Sequence, residues 1–413
     1  MENFSFLPLK EKFLSEHISV PEVALYIHIP FCTSKCAYCD FYSVQKTFYE
    51  SYLQRENQTK KNSRFVRKLL NDIVDLKELF QVQSFSSIYI GGGTPSLLSG
   101  EDILFLGSAL SVYTKPDAEC TIEVNPESLN ARFIKTAISA GINRFSLGVQ
   151  TFSDHILKNQ ARHSTRNDIE RAIALLRTAE NKYGIKFSCD LILGFAEQTE
   201  AQVLSDLERL LAAQLKHISL YTLCTDDYRA DMQNDTAHEL FAFAEKTLCA
   251  NGFYRYEVSN FAKAPEYESR HNKAYWHLDN YFGVGPSAVG TLIMPAQAQG
   301  TAAFAIRTTA FPNVQAWYDA RFPYMLEKLS YTDCLKDFLL MGLRLSEGIN
   351  KEKFFTRFYR SFDSTLPRTI LKYQDFIAVN TQKYFSLNER GLNFLSEFLV
   401  DAFLEVEQTI EKI

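Results

Sequence analysis

Three cysteines, Cys32, Cys36 and Cys39, fall within one short stretch, YIHIPFCTSKCAYCDF. A 4Fe–4S cluster has four irons and normally takes four cysteine thiolates. A CxxxCxxC spacing supplies three, which leaves one iron for a ligand that is not protein. Two plainer readings compete with this one. The thiols could share a zinc ion with His28 as a fourth ligand, or they could pack as small apolar side chains. Spacing alone does not choose among the three.

A loop with one open iron resembles that of radical S-adenosylmethionine (SAM) proteins, in which the amino and carboxylate groups of SAM chelate that iron. Other residues fit such a ligand. The run GGGTPS at 91–96 brings backbone close to a bound group through Gly92 and Gly93, with a hydroxyl on Thr94 and a stiff exit at Pro95. Glu123, Gln150, Arg162 and Asp190 are polar residues in or just after apolar runs. The default for such types is surface or turn, but their recurrence after successive runs favours ligand contact. Carboxylates suit ribose hydroxyls, and Arg162 suits a carboxylate in bidentate fashion. Tyr26 and Tyr38 flank the cysteines and offer flat faces to an adenine or a cluster. Further on, RHNKAYWHLDNYFGVGPSAVG sets His271 before a Tyr275–Trp276 pair and a glycine-rich turn. A lone histidine is usually a hydrogen-bonded structural residue. The aromatic and small neighbours here make a flat pocket conceivable, and histidine is a common axial ligand of haem iron.

These residues need elements to hold them. Apolar or β-branched runs at 23–28, 87–90, 120–124, 144–149, 187–192 and 217–220 alternate with amphipathic stretches at 102–113, 130–140, 166–183 and 202–213. That rhythm predicts parallel βαβ units, and six of them make a partial TIM-type barrel. The cysteines follow the first run and GGGTPS the second. Glu123 and Asn125 end the third, Gly148 and Gln150 end the fourth, and Asp190 lies in the fifth. Active sites of parallel barrels form at the C-terminal ends of the strands, so the unusual residues should converge on one mouth. The expected organisation is an N-terminal arm over 1–20, the partial barrel over 21–265 with a further strand near 254–261, a connecting region carrying the His271 motif over 266–314, and a mainly helical C-terminal domain over 315–413.

Composition narrows the class. With 413 residues and 46% hydrophobic content the chain can build a substantial core. A net charge of −5 gives no electrostatic case for nucleic acid. The interrupted basic run from Lys60 to Lys68 reads as a solvated helix face. Of eight cysteines, Cys120, Cys189, Cys224, Cys249 and Cys334 are scattered through apolar runs and read as buried small hydrophobes in a reducing compartment. The N-terminal residues lack an apolar core of the kind a signal peptide needs, and no run is long and apolar enough to span a membrane. A cytoplasmic location is expected.

The ordered segments YIHIPFCTSKCAYCDF, IYIGGGTPS, TIEVNPE, RFSLGVQTF, HISLY, FYRYEVSNFA, RHNKAYW and LMGLRLSEGI together resemble the oxygen-independent coproporphyrinogen oxidase family of radical SAM proteins, over about residues 22–400. The resemblance implies an α/β radical SAM (β/α)6 partial TIM barrel with a mainly helical C-terminal domain. It implies a 4Fe–4S cluster on Cys32, Cys36 and Cys39, and SAM contacts at Tyr26, Tyr38, Gly92, Gly93, Thr94, Glu123, Gln150, Arg162 and Asp190. True oxidases of the family carry a further cysteine two positions after the third, where this chain has Phe41. They also have a longer region before the cysteine loop. In both respects, and in HNKAYW, the chain resembles the haem-chaperone subgroup, which binds haem and passes it on. In that subgroup the histidine of the motif, here His271, is the candidate haem ligand. The implied partners are haem, haem-accepting proteins (membrane-associated ones included), an electron donor and a second copy of the chain. The alternative is the radical decarboxylation of coproporphyrinogen III. The chain departs from the family pattern at Ala161, at Ala196–Glu197 and at Thr225–Asp227.

Overall fold

A computed structural model describes residues 20–45, 63–223, 230–294 and 303–410. The expected arm over 1–20, apart from Val20, lies outside the described residues, as do Cys224, Lys60, Lys61 and the departure at Thr225–Asp227.

Strand β1 (Glu22–Ile29) leads into a short pair, β2 (Phe31–Cys32) and β3 (Val44–Gln45). Then come β4 (Ser84–Gly92), β5 (Thr114–Val124), β6 (Arg144–Gln150), β7 (Lys186–Leu193) and β8 (His217–Thr222). The strands β1, β4, β5, β6, β7 and β8 lie side by side, each parallel to its neighbour. Helices cover their outer face, so apolar side chains on that face are shut from water. Local chemistry sets the helix starts. Ser63, Ser99 and Asn130 cap three helices with their side chains, and Thr165 with Asp168 and Thr199 with Gln202 form capping boxes on two more. Each supplies partners for backbone N–H groups that a first helical turn leaves open. This is the expected α/β partial barrel.

The sheet also extends at both edges. Beside β8 it gains antiparallel β10 (Asn260–Ala262) and then β9 (Tyr254–Arg255), where one strand was expected over 254–261. At the other edge β11 (Tyr281–Val284) runs parallel to β1. Antiparallel β12 (Val289–Met294), β13 (Phe304–Ala310) and β14 (Tyr324–Leu329) continue from it, giving twelve strands in all among the described residues. The segment 266–314 thus supplies strands to the main sheet, and so does β14 beyond residue 315. Past β14 the chain is mostly helical, with a small sheet of β15 (Ile349–Asn350), β17 (Tyr384–Leu387) and β16 (Ile377–Asn380). It packs around a core of Leu335, Phe338, Phe354, Phe362, Phe385 and Phe398 that also takes in Ile293 of β12 and Ala305 of β13.

Phe31, at the start of the cysteine loop, is fully buried and meets Phe65 edge-on at 4.7 Å; Phe65 in turn meets Trp317 at 5.3 Å. Aromatic contacts of this geometry add to plain area burial, so the root of the loop is firmly seated. Cys120, Cys189 and Cys334 are buried as expected, but Cys249 is exposed on the surface helix Ala230–Ala250. No helix among the described residues is long and apolar enough to cross a membrane.

Candidate functional site

Parallel strands point all their C-terminal ends the same way, so the segments after them meet at one mouth. A cavity of about 440 Å³ opens there. Cys32, Cys36 and Cys39 line one wall, with Tyr38 among them. Gly92, Gly93, Thr94, Glu123, Gln150, Arg162 and Asp190 line the remainder. Of the expected site residues only Tyr26 and His271 are not brought to it.

The glycine run is where the second strand end meets the first. Gly93 N–H donates to Ile29 O and Thr94 N–H to Phe31 O, both at 2.7 Å. A Cβ on Gly93 would lie 2.7–2.9 Å from the backbone of Ile29 and Phe31, so only glycine allows this approach. The contact carries the Thr94 hydroxyl to 3.6 Å from the Cys32 sulfur, and Asn125 Nδ2 donates to Thr94 Oγ1 at 3.2 Å. Burial raises the thiols of Cys32 and Cys39 above their ordinary value. Among the described residues no three histidine, cysteine or acidic side chains gather closely enough for one metal ion. His28 is excluded as a fourth ligand. Its Nε2–H donates to Tyr42 O at 2.9 Å, which leaves Nδ1 to accept from the Tyr26 hydroxyl at 2.8 Å. Tyr26 and His28 therefore brace the far end of the cysteine loop from below, and Tyr26 does not reach the cavity.

The floor is made of buried polar groups. Glu123 accepts from the Tyr89 hydroxyl at 2.8 Å and from Gly92 N–H at 3.0 Å. Burial, with Asp190 nearby, still pushes its carboxyl up to about 7. Asp190 Oδ2 accepts from Ser146 at 2.9 Å, while Oδ1 is buried without a partner. A buried acceptor left open costs free energy unless a ligand supplies the donor, which fits a hydroxyl-bearing ligand such as a ribose. Gln150 adopts φ +69°, where the register between β6 and β7 shifts. Left-handed backbone at a residue with a side chain is strained, and here it places Gln150 at the mouth.

Arg162 differs from expectation. Its guanidinium donates to Tyr38 Oη at 3.1 Å, Asn125 Oδ1 at 3.1 Å, Gly148 O at 2.6 Å and Ser164 Oγ at 3.2 Å. It is committed chiefly to holding the cysteine loop against two strand ends, rather than presenting a free fork to a carboxylate.

His271, expected as the haem ligand, is not among the residues that line the mouth. It sits in the helix Arg270–Trp276, directly before β11. Because β11 runs parallel to β1, that helix closes the N-terminal end of the barrel, opposite the mouth. Arg144 fastens it by donating to Tyr267 O and Glu268 O, and Glu119 accepts from Ser269 and from His271 N–H. The His271 side chain is 0% exposed. Nδ1 pairs with Ser87 Oγ and Nε2 with Tyr275 Oη, each at 2.8 Å, and the ring stacks on Tyr89 at 5.1 Å. Burial drops its pKa to about 3, so it stays neutral. No nitrogen is open to iron.

Several residues at the cavity were not picked out from sequence: Tyr89, Tyr221 and His163. Tyr89 and Tyr221 were detectable in principle, since each stands two places from a polar inward residue on its strand (Ser87, Ser219), the period of a strand face.

The sequence profile of the Radical SAM superfamily matches residues 26–210. The chain is 30% identical to the haem chaperone HemW of Lactococcus lactis over 402 residues, covering 91% of this chain and 97% of that protein. It is 30% identical to haem chaperone HemW of Escherichia coli, covering 92% and 98%. The solved structure of coproporphyrinogen III oxidase (HemN) from Escherichia coli aligns with a TM-score of 0.73 at 18% identity, over 97% of this chain and 94% of that one. The last likeness concerns the fold alone.

Proposed function

Because this chain belongs to the HemW family within the radical SAM superfamily, we propose that it binds haem for delivery to haem-requiring proteins, beside a 4Fe–4S cluster held by Cys32, Cys36 and Cys39. The cluster, with SAM on its open iron, supplies one-electron chemistry when bound. This chain's own residues do the rest. The three thiols would give up their protons on binding metal, whose positive charge would offset the cost of burying the thiolates. Thr94 donates to Cys32, Arg162 fixes Tyr38 and thus the loop, and Glu123 and Asp190 accept from hydroxyl or ammonium groups on the floor.

The observation that carries the reading against radical decarboxylation is Phe41. It is 58% exposed and lines the cavity at the position where the oxidases carry a further cysteine. An apolar ring there adds surface for a flat apolar cargo and no ligand for a cluster. A haem-accepting protein, membrane-associated or not, an electron donor and a reducing cytoplasmic setting belong to the same proposal, as does pairing with a second copy.

The test is anaerobic reconstitution with iron and sulfide, then haem titration and a coproporphyrinogen III assay with SAM and reductant on one sample. Saturable haem binding without protoporphyrinogen is expected. Protoporphyrinogen without haem binding would replace this function with the oxidase reaction.

A further inference from the structure

A second cavity, of about 330 Å³, lies where the sheet edge meets the C-terminal helices, and it shares no lining residue with the one at the mouth. One wall is the end of β9 and the turn after it, with Arg255 and Glu257. The other carries Arg344 and Ser346, just past the helix Tyr331–Gly342, together with Leu392 and Leu395. Ser346 joins the two walls: its N–H donates to Tyr256 O at 3.0 Å and its hydroxyl to Arg255 O at 2.7 Å. Arg344 is the unexplained charge in this cavity. Its guanidinium is partly buried and lies over the Trp276 ring at 5.5 Å. Among the described residues it has no hydrogen-bond acceptor and no ion-pair partner. The acid nearest to it in sequence, Glu347, is spent on Lys273 at 3.3 Å and His277 at 2.7 Å. Arg255 is the contrast, since its donors go to Glu257 O, Val258 O and the Glu245 carboxylate.

We propose that this cavity binds a small monocarboxylate with a short apolar tail, its two oxygens taken by the fork of Arg344 and its tail laid on Leu392 and Leu395. Stacking on an indole occupies the face of a guanidinium and leaves its edge donors free for an acceptor in the same plane. A carboxylate fits that edge with two parallel hydrogen bonds. Donors partly withdrawn from water and left without acceptors cost free energy, which such a ligand recovers. Glu257 does not cancel the charge. It is 1% exposed, accepts from Ser259 N–H at 3.4 Å, and has its carboxyl raised toward the neutral form by burial. Leu392 and Leu395 are only partly buried, so the apolar wall is open to a ligand. The site stands apart from haem binding, and neither requires the other.

The experiment titrates the full, anaerobically reconstituted chain with hexanoate, read by calorimetry and by tryptophan fluorescence. Of the two tryptophans, Trp317 is fully buried against Phe65, so a change in emission reports Trp276. Saturable binding with a change in emission is expected. Arg344→Ala should weaken it at least about tenfold. Arg344→Lys keeps the charge but not the fork and should weaken it about threefold or more; it decides the matter if the alanine variant does not fold. Arg132→Ala, exposed on the helix Ala131–Ser139, should match wild type. Inorganic phosphate, which has no tail, should bind more weakly than hexanoate. No saturable uptake of hexanoate by wild type, unchanged affinity in the Arg344 variants, or tighter binding of phosphate would each overturn the assignment.

Discussion

Arg162 Nη1 donates to the hydroxyl of Tyr38 at 3.1 Å, across 124 positions of sequence, and so links the segment after β6 to the middle of the cysteine loop. Two other bonds of the same guanidinium reach Asn125, after β5, and Gly148. Three parts of the mouth are held by one side chain.

Tyr38→Phe should therefore cost about 1.5–3 kcal/mol, the range for a hydrogen bond to a charged group. Arg162→Ala should cost more, because it strands Asn125 Oδ1 and Gly148 O as well. A double-mutant cycle by chemical denaturation should show coupling between the two. Reconstituted Arg162→Ala should also hold less iron per chain. Additive costs and full iron content would show that the link does not position the loop.

His271→Ala should act as a core mutation. It removes the partners of Ser87 and Tyr275 and the ring stacked under Tyr89. A loss of about 2–4 kcal/mol is expected from the cavity and the unpaired groups. The axial-ligand spectrum of bound ferric haem should stay as in wild type. Loss of that signature in a variant that remains folded would identify His271 as the ligand.

Glu123 makes the stability of the metal-free protein depend on pH. Its folded carboxyl is pushed up to about 7 from an ordinary 4.5. Between those values the folded state keeps a proton that the unfolded chain has lost, so stability falls as pH rises through the window, by up to about 3 kcal/mol. His271, depressed to about 3, has the opposite slope and costs stability as pH falls below about 6.5. Glu123→Gln removes only the first contribution. Thermal unfolding of both proteins from pH 4.5 to 7.5 should show the variant gaining on wild type as pH rises. Parallel curves would mean that Glu123 is ionised throughout.

Gly93→Ala should separate the glycine run from the cysteine loop. Its added methyl meets backbone of Ile29 and Phe31, which cannot rotate away. Overpacking of this kind costs about 1–3 kcal/mol. The Thr94–Cys32 contact should lengthen, and iron retention during gel filtration should drop below that of Thr94→Val, which removes the hydroxyl but keeps the backbone fit. Equal retention in Gly93→Ala and wild type would show that the approach can relax.

The order of chemistry along the chain was legible without a structure. Cysteine spacing, glycine run and polar strand ends each come directly after a strand. Parallel strands carry their C-terminal ends to one mouth, so Cys32, Gly93, Thr94, Glu123, Gln150 and Asp190 meet as expected. The capping boxes at Thr165 and Thr199 likewise fix helix starts from local hydrogen bonding alone. The place of His271 was not legible. Whether a histidine beside two aromatic residues faces a ligand or a core depends on which end of the barrel its helix closes. That is decided by β11 pairing parallel to β1, which turns the helix before β11 to the end away from the mouth. Nor could sequence show that Arg162 spends its donors on Tyr38, Asn125 and Gly148, since those partners lie far apart along the chain. Side-chain type states what a group can bind; only the packed sheet determines what stands within hydrogen-bonding distance of it.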